Sequence, residues 1–119
     1  MPMTQLNSVL VLGAGKIGST VADMLAQHDR RLRVTLADQL EPAAAQERNG
    51  RPVRRAKLDA GNAQALFAVL SEHDAVINCL PYFMASQVAA MACTCGTHYF
   101  DLTEDVAATE AIRRMGAGV

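Results

Sequence analysis

Short apolar runs alternate along this chain with longer segments in which apolar residues recur with helical spacing. The short runs, such as SVLVLG and AVINCL, are nearly continuous in apolar residues, as in strands covered by helices on both faces. Alternation of such strands with amphipathic helices is typical of an α/β domain. We predict a doubly wound parallel sheet of about five strands in the order 3-2-1-4-5. The predicted strands span residues 9–12, 33–37, 53–58, 75–80 and 98–102.

Local signals mark the ends of the predicted helices. Asn62 can cap the third helix, and Gly96 can end the fourth in the left-handed conformation. The second helix, between Pro42 and Gly50, is short. A fifth helical pattern follows Thr103, and the chain stops soon after it. We therefore expect residues 1–119 to form one domain that is truncated before a C-terminal domain.

The composition excludes several functional classes. The chain is 50% hydrophobic and 19% charged, which is typical of a folded domain. A formal net charge of -1, without a basic run, argues against nucleic-acid binding. No apolar segment reaches the length of a membrane span. The three cysteines fit neither a disulfide framework nor a redox motif, so we expect a cytoplasmic protein. The charge and the missing apolar span further predict no nucleic-acid and no membrane partner.

A glycine turn follows the first predicted strand and opens the first predicted helix. In the segment 13–18, Gly-Ala-Gly-Lys-Ile-Gly, we expect Gly13 to permit the tight turn and Gly15 to let the backbone approach a pyrophosphate. Gly18 would let the helix pack closely on the strand. Asp38 lies about 20 residues further on, where this fingerprint places an acid against the adenine ribose. The pattern predicts a Rossmann-type dinucleotide-binding domain.

The carboxylate of Asp38 favours NAD over NADP. It can accept hydrogen bonds from both ribose hydroxyls, and its charge repels the 2′-phosphate of NADP. An NADP protein would be expected to carry an arginine directly after this acid, but Gln39 and Leu40 stand there. The alternative is an ordinary strand-to-helix turn in which Asp38 is a turn or capping acid.

Residues after the third and fourth predicted strands complete the site, because ligands of a doubly wound sheet cross the carboxyl ends of its strands. Asp59 and Ala60 would lie on the adenine side, although Asp59 could equally be a capping acid. Leu80 and Pro81 would lie near the nicotinamide ribose, and Pro81 should end the strand because it lacks an amide donor. The predicted nucleotide-binding residues are Gly13, Gly15, Lys16, Ile17, Gly18, Asp38, Gln39, Asp59, Ala60, Leu80 and Pro81.

Cys93, Cys95 and His98 are the candidate metal ligands. Side chains two positions apart on a helix point to different faces, so the two cysteines cannot readily share one ion. We predict no metal site. The three histidines also fit no Ser/His/Asp triad, and the sequence leaves the catalytic residues unknown.

Four segments carry a family resemblance: VLVLGAGKIGSTVADMLA, the LD after the third predicted strand, DAVINCLPYF and GTHYFDLTED. Together they resemble the N-terminal NAD(P)-binding domain of the saccharopine dehydrogenase family, which includes lysine dehydrogenase-like members. The most specific part is NCLPY followed by YFDLTED. The resemblance implies an oxidoreductase that acts on the carbon–nitrogen bond of an amino acid or secondary amine and transfers hydride to the nicotinamide.

The resemblance also implies that most catalytic and substrate-binding residues lie in a second domain. We therefore expect the small-molecule amino-acid substrate to bind there, the isolated chain to be inactive, and the full-length protein to be a candidate homo-oligomer. The alternative function is an NAD-sensing regulatory domain of a potassium transport system. Such domains have about this length and also bind NAD through a glycine turn and an acid after the second strand.

Overall fold

Parallel strands and helices alternate through residues 6–29, 31–40 and 53–101, the part of the chain described by the structure, which is a computed structural model. The described strands form one sheet in the order β3-β2-β1-β4-β5, and every neighbouring pair is parallel. The doubly wound α/β fold and its strand order are thereby confirmed. The elements are β1 (Ser8–Leu12), α1 (Lys16–His28), β2 (Arg33–Asp38), β3 (Arg54–Lys57), α2 (Ala63–Ser71), β4 (Ala75–Asn78), a 3₁₀ turn (Tyr82–Met84), α3 (Ala85–Cys95) and β5 (His98–Asp101).

The central strand β1 is buried along its whole length because both faces of the sheet carry helices. Successive side chains of a strand point to opposite faces. Leu10 and Leu12 therefore join the core beneath α2 and α3, whereas Val9 and Val11 join the core beneath α1. The helices contribute Leu66, Leu70, Val88 and Ala92 to the first core and Ala22 and Ala26 to the second.

The order of the strands places a crevice beside the end of β1. Leu12, the last residue of β1, pairs with Ala37 on one side and with Asn78 on the other. The chain leaves β1 toward β2 but later crosses to β4 on the other side. The loops after β1 and β4 therefore diverge, and they open a crevice at the carboxyl ends of the strands.

Two of the predicted helix ends are confirmed. The Asn62 side chain accepts a hydrogen bond from the Ala65 amide at 3.1 Å and caps α2. Gly96 ends α3 with φ 71° and ψ 21°, the left-handed conformation. The predicted second helix with Pro42 and Gly50, and the helical pattern after Thr103, lie outside the described residues. None of the described helices is long and apolar enough to cross a membrane.

The predicted end of the fourth strand is wrong. β4 ends at Asn78, before the predicted boundary at Pro81. The reason is a side chain: the Asn78 carboxamide oxygen accepts a hydrogen bond from the Leu80 amide at 3.0 Å. Asparagine stabilises turns by bonding to the backbone two residues further on. The strand therefore stops where its own side chain turns the chain, before proline removes a donor.

Candidate functional site

Gly13 begins the turn after β1 in a conformation that favours glycine, with φ 96°. Its amide donates to the carbonyl oxygen of Ala37 at 2.9 Å, which ties the turn to β2. A Cβ atom at this position would come within 2.9 Å of the carbonyl oxygen of Cys79. The fold itself therefore requires glycine at residue 13.

Gly18 is also required by packing. It is buried in the first turn of α1, and a Cβ atom there would overlap the carbonyl oxygen of Gly13. The glycine lets the helix lie close against the turn that precedes it. The predicted packing role of Gly18 agrees with this geometry.

Gly15 differs from its two neighbours in the motif. Its backbone, with φ -60° and ψ -175°, is one that any residue adopts. A Cβ atom here would have no protein atom within 4 Å. The described structure thus contains no steric reason for glycine at residue 15, and the space that its side chain would fill lies in front of the first turn of α1.

The first turn of α1 presents a positive helix end at this space. The initial amide groups of a helix have no partner within it, and no side chain caps α1. Together with the helix dipole, such amides attract an anion. A pyrophosphate fits the position, because the missing side chain of Gly15 would let its oxygens approach the backbone.

Asp38, the last residue of β2, is connected directly to the glycine turn. Its Oδ2 accepts a hydrogen bond from the Ala14 amide at 2.7 Å, and its Oδ1 accepts one from the Gln39 amide at 2.7 Å. These bonds orient the carboxylate. Because each carboxylate oxygen has a further acceptor site, Asp38 can still accept hydrogen bonds from a ligand's hydroxyl groups.

One cleft of about 420 Å³ brings many of the predicted residues together. Its lining includes the predicted residues Gly13, Gly15, Asp38, Gln39, Ala60, Leu80 and Pro81. The lining also includes Cys79, which lies in the segment after the fourth strand where the ligand was expected to pass. Sequence reasoning missed further lining residues at the end of β3 and in the 3₁₀ turn: Leu58, Phe83 and Met84. Phe83 is 73% exposed at this cleft, and an aromatic residue soon after a strand end was the available signal.

The other predicted site residues do not line this cleft. Lys16 and Ile17 are exposed on the first turn of α1, and Gly18 lies beneath the glycine turn. Asp59 is exposed, and its Oδ1 accepts a hydrogen bond from the Gly61 amide at 2.9 Å. This is a contact within the turn that precedes α2, and the side chain that caps α2 is Asn62, so the described residues show no helix-capping bond for the Asp59 side chain. Contact of these residues with a nucleotide stays a prediction.

Cys79 brings a half-buried thiol to the cleft. Burial raises the pKa of its thiol, because the charged thiolate is poorly solvated there. The thiol therefore stays protonated at neutral pH. Within residues 6–29, 31–40 and 53–101, no group of three or more histidine, cysteine, aspartate or glutamate residues could hold a metal ion.

Several solved structures share the fold of this chain. Saccharopine dehydrogenase (L-Glu forming) from Saccharomyces cerevisiae is 26% identical with a TM-score of 0.70, and the match covers 92% of this chain and 24% of that chain. UDP-N-acetylglucosamine 3-dehydrogenase from Acidithiobacillus ferrooxidans is 23% identical with a TM-score of 0.62, over 98% of this chain and 36% of that chain. Myo-inositol 2-dehydrogenase from Lactobacillus plantarum is 13% identical with a TM-score of 0.61, over 96% of this chain and 34% of that chain.

This chain thus spans between about a quarter and about a third of the length of these enzymes. For the two less similar enzymes, the likeness shows the fold alone. Residues 9–117 match the family described as the saccharopine dehydrogenase NADP binding domain, so the match includes nearly the whole chain. The chain therefore belongs to the saccharopine dehydrogenase NADP-binding domain family, as the sequence resemblance predicted.

Proposed function

We propose that this chain is the NAD-binding domain of an oxidoreductase that acts on the carbon–nitrogen bond of an amino acid or a secondary amine. Membership of the family and the likeness to a saccharopine dehydrogenase support this proposal. The observation that carries it is the joint presence of Gly15 and Asp38 in one cleft. Gly15 has no steric role within the chain, and Asp38 is an oriented acid; these match the glycine that faces the pyrophosphate and the acid that binds the ribose in a dinucleotide site.

The strand order sets the direction of the bound nucleotide. The pyrophosphate would lie at Gly15, where the first amides of α1 donate to its oxygens. The adenosine half would lie over β2, with its ribose hydroxyls donating to Asp38. The other half would then extend toward Leu80 and Pro81 after β4. When bound, the nicotinamide would accept the hydride removed from the substrate carbon.

The charges of the cleft favour NAD over NADP. Asp38 is the charged side chain in the described lining, which includes no lysine or arginine. The residues after Asp38 are Gln39 and Leu40, and both are exposed without offering a positive charge. A 2′-phosphate placed beside Asp38 would therefore be repelled by the carboxylate, and none of the described lining residues carries a positive charge to offset this repulsion.

Lys57 supports NADP as the second candidate cofactor. It is exposed, and it pairs with Asp38 in the register of β2 and β3. Side chains at paired positions of parallel strands lie on the same face of the sheet. The name of the family to which the chain belongs also specifies NADP. In this alternative, the ammonium group of Lys57 contacts the 2′-phosphate.

Calorimetric titration of the 119-residue chain with NAD and with NADP separates the two candidates. We expect the chain to bind NAD more tightly and Lys57→Ala to leave the NAD affinity unchanged. Tighter binding of NADP, lost in Lys57→Ala, would establish the alternative. A parent chain that binds neither nucleotide would contradict the proposed function.

We further propose that the chain alone does not oxidise an amine. Asp38 would serve the adenosine half, and the Cys79 thiol stays protonated, so neither is suited to take the substrate's proton. The test is to follow NADH absorbance after adding a panel of basic amino acids and their secondary-amine adducts. The measurement is made on this chain and on the product of the full reading frame. Turnover by the chain alone would contradict the proposal. A full-length protein that binds NAD but oxidises no amine would favour the regulatory alternative.

A further inference from the structure

A row of hydrogen-bonded side chains joins the ends of β4 and β5 beside the cleft. The Asn78 Oδ1 accepts from the Leu80 amide at 3.0 Å, and its Nδ2 donates to the Tyr99 hydroxyl at 3.0 Å. The Tyr99 hydroxyl donates to Oδ2 of Asp101 at 2.9 Å. Two side chains, those of Asn78 and Tyr99, thus connect a backbone amide of the cleft loop with the carboxylate of Asp101 on β5.

The direction of these hydrogen bonds is determined by chemistry. The Leu80 amide can only donate, so the carboxamide oxygen of Asn78 must face it and the NH₂ group must face Tyr99. Burial raises the pKa of Tyr99, and the neighbouring Asp101 carboxylate raises it further. The hydroxyl therefore keeps its proton. Its alternative acceptor, the carbonyl oxygen of Ala85, is further away at 3.3 Å.

Asn78 has little freedom to move within this arrangement. Asn78 is only 3% exposed, and its backbone pairs with Leu12 of β1. Rotation of the carboxamide would place its NH₂ group against the NH of Leu80 and its oxygen against the Tyr99 oxygen, whose proton is donated to Asp101. Tyr99 therefore stabilises the orientation in which Asn78 accepts the hydrogen bond from the Leu80 amide.

This row ends at the half of the cleft that the nicotinamide side of a dinucleotide would occupy. Leu80 lines the cleft, and the preceding residue, Cys79, lies against Gly13 of the glycine turn. Small displacements of a binding loop weaken contacts that depend on geometry. By contrast, the adenosine half would lie near Asp38, on the opposite side of β1 from β4.

We propose that Asn78 and Tyr99 are positioning residues that hold the 79–81 loop in place for the nicotinamide half of the nucleotide. Tyr99 acts through Asn78, because its hydroxyl orients the carboxamide that holds the Leu80 amide. The inference rests on the proposed function. It adds a prediction that the proposed function does not contain: loss of the Tyr99 hydroxyl affects one half of the nucleotide and not the other.

The test compares a whole dinucleotide with ADP, which carries the adenosine and both phosphates but no nicotinamide half. Calorimetry uses whichever of NAD and NADP the parent chain binds more tightly. We expect Tyr99→Phe to weaken dinucleotide binding about fivefold, the effect of losing roughly one hydrogen bond, and to leave ADP binding unchanged within about twofold. Asn78→Ala should have a larger effect on the dinucleotide. The double variant should bind it no more weakly than Asn78→Ala.

Thr97→Val is the matched control. The Thr97 hydroxyl donates to the carbonyl oxygen of Leu70 at 2.8 Å, so this variant also loses a buried hydrogen bond next to β5, but at the end away from the cleft. Its dinucleotide affinity should equal that of the parent. Tyr99→Phe that binds the dinucleotide as tightly as the parent, or that loses dinucleotide and ADP affinity equally, would overturn the inference.

Hydrogen exchange of the Leu80 amide, measured by NMR, tests the same idea without a nucleotide. The exchange should accelerate about fivefold in Tyr99→Phe and stay unchanged in Thr97→Val. Unchanged exchange in Tyr99→Phe would overturn the inference even if Asn78→Ala does not fold. If the parent chain binds no nucleotide but exchange of the Leu80 amide accelerates in Tyr99→Phe, the result would contradict the proposed function while supporting the positioning of Leu80.

Discussion

Two clefts of similar volume open near opposite ends of the parallel sheet. The cleft at the carboxyl ends measures about 420 Å³, and one near the amino ends measures about 410 Å³. Both clefts are lined mainly by apolar residues, and the amino-end cleft also contains the charged residues Asp29 and Arg31 but no glycine turn. The carboxyl-end cleft contains the glycine turn and Asp38. Volume therefore does not distinguish a nucleotide site in this domain, whereas the chemistry of the lining does.

An aspartate near each end of the sheet accepts hydrogen bonds from backbone amides, but the two aspartates have different surroundings. Asp74 uses Oδ2 to accept from Asn7 at 2.8 Å and from Ser8 at 3.2 Å, which joins the start of β4 to the start of β1. Asp38 accepts from Ala14 and Gln39 and lines the cleft. The same hydrogen-bonding device can thus join strands at one end and orient a carboxylate toward a ligand at the other.

The comparison suggests how to separate structural from functional residues in this fold. A structural residue has a visible reason within the chain, as Gly18 and Asp74 have. A functional candidate has a property that the chain does not use, as Gly15 has with its unoccupied Cβ direction. Substitutions at paired positions can break or sharpen this distinction.

Gly18→Ala should have the largest effect on stability. The new Cβ atom would overlap the carbonyl oxygen of Gly13, which is backbone and cannot rotate away. We expect the free energy of unfolding to fall by about 3 kcal/mol, the upper part of the range for overpacked sites. Urea denaturation followed by circular dichroism measures it. A fall below about 1 kcal/mol would show that helix α1 can shift without cost.

Gly15→Val should have the opposite profile. We expect loss of nucleotide affinity by more than about a hundredfold, or about 2.7 kcal/mol, because the side chain would fill the proposed pyrophosphate position. The free energy of unfolding should change by less than about 1 kcal/mol, because a Cβ atom at this position has no atom of a non-neighbouring residue within 4 Å and the backbone conformation is one that any residue adopts. Calorimetry and urea denaturation on one sample give both values. Unchanged affinity would place the phosphates elsewhere.

Asp38→Ala should reduce the preference for NAD over NADP. Removing the carboxylate removes both the acceptor for the ribose hydroxyls and the repulsion of the 2′-phosphate. We expect the ratio of the two dissociation constants to change about tenfold, or about 1.4 kcal/mol. Asp74→Ala is the control, and it should leave the ratio unchanged. An unchanged ratio in Asp38→Ala would show that Asp38 acts only within the turn.

Asp74→Ala should have the smallest effect, on stability and its dependence on pH. Loss of its backbone hydrogen bonds should lower the free energy of unfolding by about 1 kcal/mol at pH 7. The bond from the Asn7 amide is the main cause of a lowered pKa for Asp74 in the folded chain. Its stabilising contribution is therefore complete above the ordinary pKa near 3.8 and is lost as the pH falls through the lower folded-state value.

Urea denaturation of the parent and Asp74→Ala between pH 7 and pH 2.5 measures this dependence. The difference between the two proteins should shrink at the acidic end. Asp59→Ala, which removes a carboxylate bonded to Gly61 within one turn, is the control for a merely local contact. A difference that grows on acidification would contradict the assignment.

The sequence patterns predicted elements well where local and tertiary preferences agree. β1 and β2 were predicted within one residue at each end, because buried parallel strands need continuous apolar runs. Asn62 and Gly96 act at the predicted helix ends because capping depends on the residue type itself. The end of β4 was missed because the Asn78 side chain turns the chain, and its partner Tyr99 lies on another strand.

The sequence by itself determined the alternation of strands and helices, the positions of the glycine turn and Asp38, and the segments that resemble the family, because these depend on residue types along the chain. The strand order was expected from the doubly wound fold class. Only the tertiary structure decided which glycines the fold requires. A Cβ atom at Gly13, for example, would meet the backbone of Cys79, which is far away in sequence. It also decided that Leu58, Cys79, Phe83 and Met84 share the cleft with Asp38. Contacts between distant segments arise when strands pair and helices pack, and no local spacing records them.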